Sequence, residues 1–88
     1  MNNIKLYTTN DNWPISKNGK LKELSDCMDD IIGKDLNDEL GKYYDGWGED
    51  LGTGAMEWFF YNVPRFLTKE VKQKFEELDP SYLMIKIT

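Results

Sequence analysis

Apolar and polar residues alternate through Ile4-Lys5-Leu6-Tyr7-Thr8, with β-branched positions among them, which is the pattern of a half-buried strand. Asn10-Asp11-Asn12 reads as a turn. Pro14 then confines Ile15 to Lys17 to an edge strand or loop, because proline cannot donate to a sheet ladder. Asn18-Gly19 punctuates the entry to the next segment. From Leu21 to Ile32 the period changes. Leu21, Leu24, Met28, Ile31 and Ile32 recur at helical spacing, and Glu23, Asp26, Asp29 and Asp30 fall on the opposite half. Gly33 is expected to end this helix, and Asp35 to cap a second short one carrying Leu36, Leu40 and Tyr43.

Residues 45–54 hold four of the seven glycines and read as a loop in which the backbone turns sharply and Trp47 folds back onto the core. Ala55 to Val63 contains Trp58, Phe59, Phe60, Tyr61 and Val63, a composition suited to a strand buried on both faces. A short buried helix ending before Pro64 fits the same spacing. Thr68 is placed to cap a helix with Leu67, Val71, Phe75 and Leu78 on one stripe, and Asp79-Pro80-Ser81 breaks it. Tyr82 to Ile87 alternates again, with Leu83, Ile85 and Ile87 on one face. These elements assemble into an α+β fold. We expect a small, mainly antiparallel sheet of about three strands packed on one side by two to three helices, in a single domain covering residues 1–88.

A chain of 88 residues leaves room for one core, and twelve aromatics supply the bulk that so short a chain needs to outweigh its chain entropy. The longest apolar run, Trp58 to Tyr61, is far below the roughly 20 residues of a membrane span, and no apolar stretch near Met1 resembles a signal peptide. No membrane partner and a cytoplasmic location are therefore expected. Cys27 stands alone, so no intramolecular disulfide can form, which fits a reducing compartment.

The net charge of −5 is unevenly laid out. Residues 1–22 carry four lysines against Asp11, a balance of +3, and residues 58–88 carry five bases against four acids, a balance of +1. Residues 23–57 carry eleven acids against Lys34 and Lys42, a balance of −9. An acidic middle third repels phosphate, so a direct nucleic-acid partner is not expected, and Lys17, Lys20 and Lys22 read as a solvated face.

The absence of histidine removes the usual general base near neutral pH and with it the Ser-His-Asp and Cys-His triads. Cys27, at the border of an apolar stripe with carboxylates nearby, reads as a buried structural thiol. The glycine-rich stretch does not suit a phosphate, because Asp45, Glu49 and Asp50 would repel the anion, and its spacing misses an EF-hand loop. Paired carboxylates could hydrolyse glycosides, but a chain this short has little room for a substrate cleft. The expectation is a protein without enzymatic activity, cofactor or metal.

Two readings compete for the acidic block. Asp26, Asp29 and Asp30 are accounted for as the wet side of an amphipathic helix. The stretch from Tyr43 to Leu51 is not, because there acids stand beside aromatics and glycines. Aromatic anchors in a charged rim are the composition of a protein-binding surface, and negative charge steers association with a basic partner. The candidate site is therefore partner-binding: Tyr43, Tyr44 and Trp47 as anchors, and Asp26, Asp30, Asp45, Glu49 and Asp50 opposing lysine or arginine.

Surfaces of this type are used by nuclease immunity proteins, antitoxins and phage anti-defence proteins such as anti-CRISPRs. The order of elements, ending in a helix and then Tyr82-Leu83-Met84-Ile85-Lys86-Ile87, is similar to that of barstar-like ribonuclease inhibitors. Tyr43-Tyr44 followed by Gly46, Glu49, Asp50 and Leu51 resembles their acidic binding helix, over about a quarter of the chain and with two extra glycines interrupting it. The acidic block and its aromatics lead us to expect a non-enzymatic inhibitor, monomeric or weakly dimeric, that docks residues 23–57 onto the basic site of a nuclease, a CRISPR effector or another nucleic-acid-binding protein. The alternative is an interaction or self-assembly module that uses the aromatic surface or an exposed sheet edge.

Overall fold

The computed structural model describes residues 1–9 and 12–88. Of the turn expected at Asn10-Asp11-Asn12, the first two residues lie outside the described part. Alternation produces the first element as read: in β1 (Asn2–Thr8), Ile4, Leu6 and Thr8 are buried. Trp13 follows, then a small turn in which Ile15 bridges Leu21 and the Gly19 N–H donates to the Ser16 carbonyl at 3.0 Å. Lys17 and Lys20 are exposed on that turn. The first helix therefore begins three residues later than its apolar period suggests. Leu21 lies outside it and is exposed, because the chain spends residues 15–21 on the bridge.

Helix α1 (Leu24–Ile32) buries Cys27, Met28, Ile31 and Ile32 and is followed at once by α2 (Lys34–Gly41). Gly33 alone joins them, at φ 86°, a conformation glycine adopts without the steric cost a Cβ brings. Asp35 does not cap α2. Gly33 holds the cap position, and Asp35 sits in the first turn, where its charge complements the helix dipole. Asn37 clasps the two helices, its Nδ2 donating to Asp29 Oδ1 at 2.8 Å and to the Ser25 carbonyl at 3.1 Å.

The glycine-rich stretch is the largest departure from expectation. Residues expected to form a loop form strand β2 (Tyr44–Glu49), and only residues 50–55 turn back into β3 (Met56–Val63). The sheet therefore has four strands rather than three. Alternation failed as a signal here because Gly46 and Gly48 occupy one whole face of β2. Periodicity cannot see a strand whose second face has no side chains. The strand reading of residues 55–63 holds, but burial on both faces does not: Phe60 and Val63 are buried, whereas Tyr61 is exposed and Phe59 partly so.

Helix α3 (Arg65–Leu78) starts directly after Pro64, which takes the cap position, so Thr68 lies one turn inside. Thr68 is buried, and its hydroxyl donates to the Pro64 carbonyl at 3.1 Å rather than accepting a helix N–H. Leu67, Val71 and Phe75 pack inward, while Leu78, at the end of the stripe, is half exposed. Asp79 closes the helix in a left-handed conformation, its N–H bonded to the Phe75 carbonyl at 2.8 Å. The chain ends in β4 (Leu83–Ile87).

All strand pairs are antiparallel, in the order β2-β3-β1-β4. Each crossover thus skips one strand. α1 and α2 carry the chain from β1 past β3 to β2, and α3 carries it from β3 past β1 to β4. This is the split β-α-β arrangement, two interleaved units around one core. Ile4, Leu6, Phe60, Val63 and Leu83 of the sheet meet Met28, Ile32, Leu40, Leu67, Val71 and Phe75 of the helices. β1 is central, and β2 and β4 are the edges. Among the described residues no helix is long and apolar enough to cross a membrane.

Candidate functional site

Register decides which side chains of β2 share the helix-covered face of the sheet. Tyr44 lies opposite Phe60, Trp47 opposite Trp58 and Glu49 opposite Met56, while Gly46 and Gly48 lie opposite Phe59 and Glu57 on the open face. The helices cover β1 and the inner part of β3 but stop short of β2. Tyr44 rests on Phe60, with ring centroids 5.5 Å apart, and stays 45% exposed. Trp58 stacks on Trp13 at 5.3 Å, and Trp13 meets Tyr82 edge-on at 6.1 Å. Trp58 thus finds its aromatic partner on the side away from β2. Trp47 does not fold back onto the core as expected, and 65% of it is exposed.

Between α1, α2 and the outer half of the sheet runs an open groove in two adjoining sections. One, of about 420 Å³, lies against Leu24, Met28, Asn37, Asp38, Tyr44, Trp58 and Phe60. The other, of about 520 Å³, lies against Trp13, Leu21, Lys22, Leu24, Met56 and Trp58. Glu23, Leu24 and Trp58 belong to both. The floor is aromatic and aliphatic, and Glu23 and Asp38 stand on its helix wall. Trp13, Leu24, Met56 and Trp58 were read from sequence as core or not at all. A tryptophan next to Pro14 was the available signal for Trp13.

The expected site residues divide accordingly. Tyr44, Asp45, Trp47 and Glu49 come together on one exposed edge strand. Tyr43 does not join them, because it is half-buried and packs against the core. Asp50 is committed to the hairpin: its Oδ1 accepts the N–H groups of Gly52 at 2.8 Å and Thr53 at 3.3 Å, and its carbonyl accepts the Gly54 N–H at 2.7 Å. Asp26 and Asp30 are exposed on α1 and line neither section of the groove. Asp30 is also paired with Lys22, an ion pair that raises the Lys22 ammonium above its ordinary pKa, chiefly through the hydrogen bond. The acidic helix implied over Tyr43 to Leu51 is absent, since that segment is a strand and its turn.

Elsewhere, Cys27 is fully buried, and its thiol is pushed up to about 11, first by burial and then by the Asp30 and Asp26 carboxylates, with Lys22 opposing. It is the inert thiol its setting predicts. A shallow depression between α2 and α3 gathers Asp35, Glu39 and Glu70 with Lys34 and Lys74, all of them exposed to solvent. Among the described residues no three histidine, cysteine or acidic side chains are grouped to hold a metal.

No protein-family model, curated protein or solved structure matches the chain. The functional reading therefore rests on the geometry of the β2 edge and the groove beside it.

Proposed function

We propose that the protein is a non-enzymatic, acidic inhibitor that docks its β2 edge and the adjoining groove onto the basic site of a nuclease or another nucleic-acid-binding protein. One observation carries the reading. Tyr44 and Trp47, large aromatics at 45% and 65% exposure, share a six-residue strand with Asp45 and Glu49, whose carboxylates make no hydrogen bond or ion pair with the described residues. Tryptophan and tyrosine are the usual anchors of an interface, and both of these keep a large part of the ring exposed. Carboxylates beside them compete with the phosphates that a basic site normally holds, and they accelerate encounter with it. The refined set of contact residues is Tyr44, Asp45, Trp47 and Glu49, with Trp58 and Leu24 lining the groove. Asp26 and Asp30 contribute to the general negative field.

The test is capture of binding proteins from a bacterial lysate on the immobilised chain, followed by salt titration of the complex and assay of the captured protein on nucleic acid. Recovery of a basic nucleic-acid enzyme, released by salt and silenced by the chain, supports the proposal. Binding indifferent to Asp45→Asn with Glu49→Gln would sink its electrostatic part.

A second reading, self-association through the aromatic surface, is favoured by Trp47 and by Leu51, which is 95% exposed at the tip of the hairpin. Light scattering separates the two: an oligomer that survives high salt and shields Trp47 favours assembly.

A further inference from the structure

The edge of a sheet presents backbone as well as side chains. β2 pairs on one side only, with β3, and the ladder runs unbroken from Gly46 to Glu49 after the bulge between Tyr44 and Gly46. In an antiparallel ladder alternate residues direct their N–H and C=O groups outward, so this stretch offers unpaired donors and acceptors. Edges are commonly guarded by lysine or proline. β4, the other edge, carries Lys86, whereas residues 43–57 contain no lysine, arginine or proline.

We propose that β2 receives an extended, basic segment of the partner protein as a fifth strand, paired along Gly46–Glu49. This rests on reading the site as a dock for a basic protein, and it names the form that protein presents. The two faces of β2 set what the segment carries. On the helix side, Trp47 and the groove beyond it accept apolar side chains at alternate positions. On the open side, Gly46 and Gly48 leave room for long ones, since a Cβ built on Gly48 lies 3.9 Å from the Phe59 ring and one on Gly46 meets nothing within 4 Å. Charge selects the occupant: the exposed carboxylates of Asp45 and Glu49 flank the ladder without an ion pair among the described residues, whereas Glu57 is held by Lys5 at 3.3 Å and Asp50 by the hairpin, and the unpaired acids favour lysine and arginine. The same charges weigh against a second copy of β2, which would set Asp45 and Glu49 against their own kind, and like charges across a ladder destabilise it.

The probe is a capped peptide of about eight residues alternating lysine and valine, a length typical of a strand. It is compared with two versions N-methylated on one or the other alternate set of residues. Each methylation removes the donors from one edge of the peptide and leaves its charge intact. Binding to the full chain is followed by backbone NMR at low salt. We expect the parent peptide to slow amide exchange within residues 46–49, and one methylated version, but not the other, to lose about tenfold or more in affinity, the loss of more than a single hydrogen bond. Equal binding by all three peptides overturns strand addition and leaves the acidic dock standing. So does failure of the parent peptide to bind when a basic protein does bind in a salt-sensitive way. Absence of binding to both peptide and basic proteins overturns the functional reading as well. Perturbation confined to α1 places the peptide on Asp26 and Asp30 and overturns the edge.

Discussion

Helix α1 and strand β2 are both acidic and both lie at the surface, yet they are held in different ways. α1 is fixed by what it buries. Cys27, Met28, Ile31 and Ile32 sit in the core, Asn37 clasps it to α2, and Lys22 pairs with Asp30 on its outer side. Its charge is the solvated half of an element whose other half is fully accounted for by packing. β2 buries almost nothing: its pattern is exposed or half-exposed throughout, and its one structural neighbour in the sheet is β3. Acids on a packed helix keep it soluble, whereas acids and a tryptophan on a barely packed strand have no counterpart inside the fold. The comparison separates charge that belongs to folding from charge left for binding.

The sharpest way to break this comparison is to truncate one large side chain on each element. Met28 is 1% exposed, and Met28→Ala leaves a cavity in the core that should lower unfolding free energy by about 2–5 kcal/mol. Trp47→Ala removes a larger side chain but opens no cavity, and it should cost less than about 1 kcal/mol of stability. In partner affinity the order reverses, with Trp47→Ala losing about 2 kcal/mol or more, as interface anchors do. Denaturant titration and calorimetric binding of both variants test the two halves together. Comparable destabilisation by Trp47→Ala would place it in the folding set.

Next comes Cys27, which sharpens the claim that α1 is a structural element. Its folded-state pKa of about 11 lies above the ordinary value of 9.0, so the fold holds the proton more tightly than the unfolded chain does. The resulting stabilisation is complete below 9.0 and is lost as pH rises through about 11. Urea denaturation across that interval should show stability falling more steeply in the native sequence than in Cys27→Ala, in which the other titrating groups remain. A thiol reagent should leave the folded protein unmodified at neutral pH.

Asn37→Ala probes the clasp between α1 and α2. It removes the hydrogen bonds to Asp29 and to Ser25 and should cost about 1–2 kcal/mol of stability. None of these hydrogen bonds reaches β2, so amide exchange in β2 should be unchanged while exchange in α2 accelerates.

How much of this contrast the sequence carried differs between the two elements. α1 was legible because a 3.6-residue period of Leu24, Met28, Ile31 and Ile32 reports burial on one side directly. β1 and β4 were legible for the analogous reason, whereas β3 was read from its aromatic composition, with burial on both faces expected and a short helix fitting the same spacing. Strand β2 was not: two glycines erase its open face, and its formation depends on pairing with β3, a relation no local window contains. The coincidence of Tyr44, Asp45, Trp47 and Glu49 was visible as composition, but that they share an edge strand was not. The bracing of the hairpin by Asp50 was not visible either, because a carboxylate that braces a turn and one that faces solvent look alike in sequence. The pairing of Asp30 with Lys22, eight residues apart, was hidden because Lys22 lies outside α1, so no helical spacing relates the two.

The smallest effects should come from the charges themselves, and they decide whether β2 is a site or only part of a field. Neutralising Asp45 and Glu49 together (Asp45→Asn with Glu49→Gln) should weaken binding of a basic partner by about 0.2–1 kcal/mol per charge, expressed mainly as slower association. The matching change on α1 (Asp26→Asn with Asp30→Asn) removes the same formal charge, but half of it already faces Lys22, so it should slow association less. Both differences should shrink with added salt, because at 1 M the screening length is only about 3 Å. Stopped-flow association of the two double variants, at low and high salt, compares them at equal net charge. If they slow association equally, the partner senses the acidic middle of the chain as a whole. A larger effect from β2 at the same net charge can come only from where the charges sit, on the strand that the fold leaves uncovered.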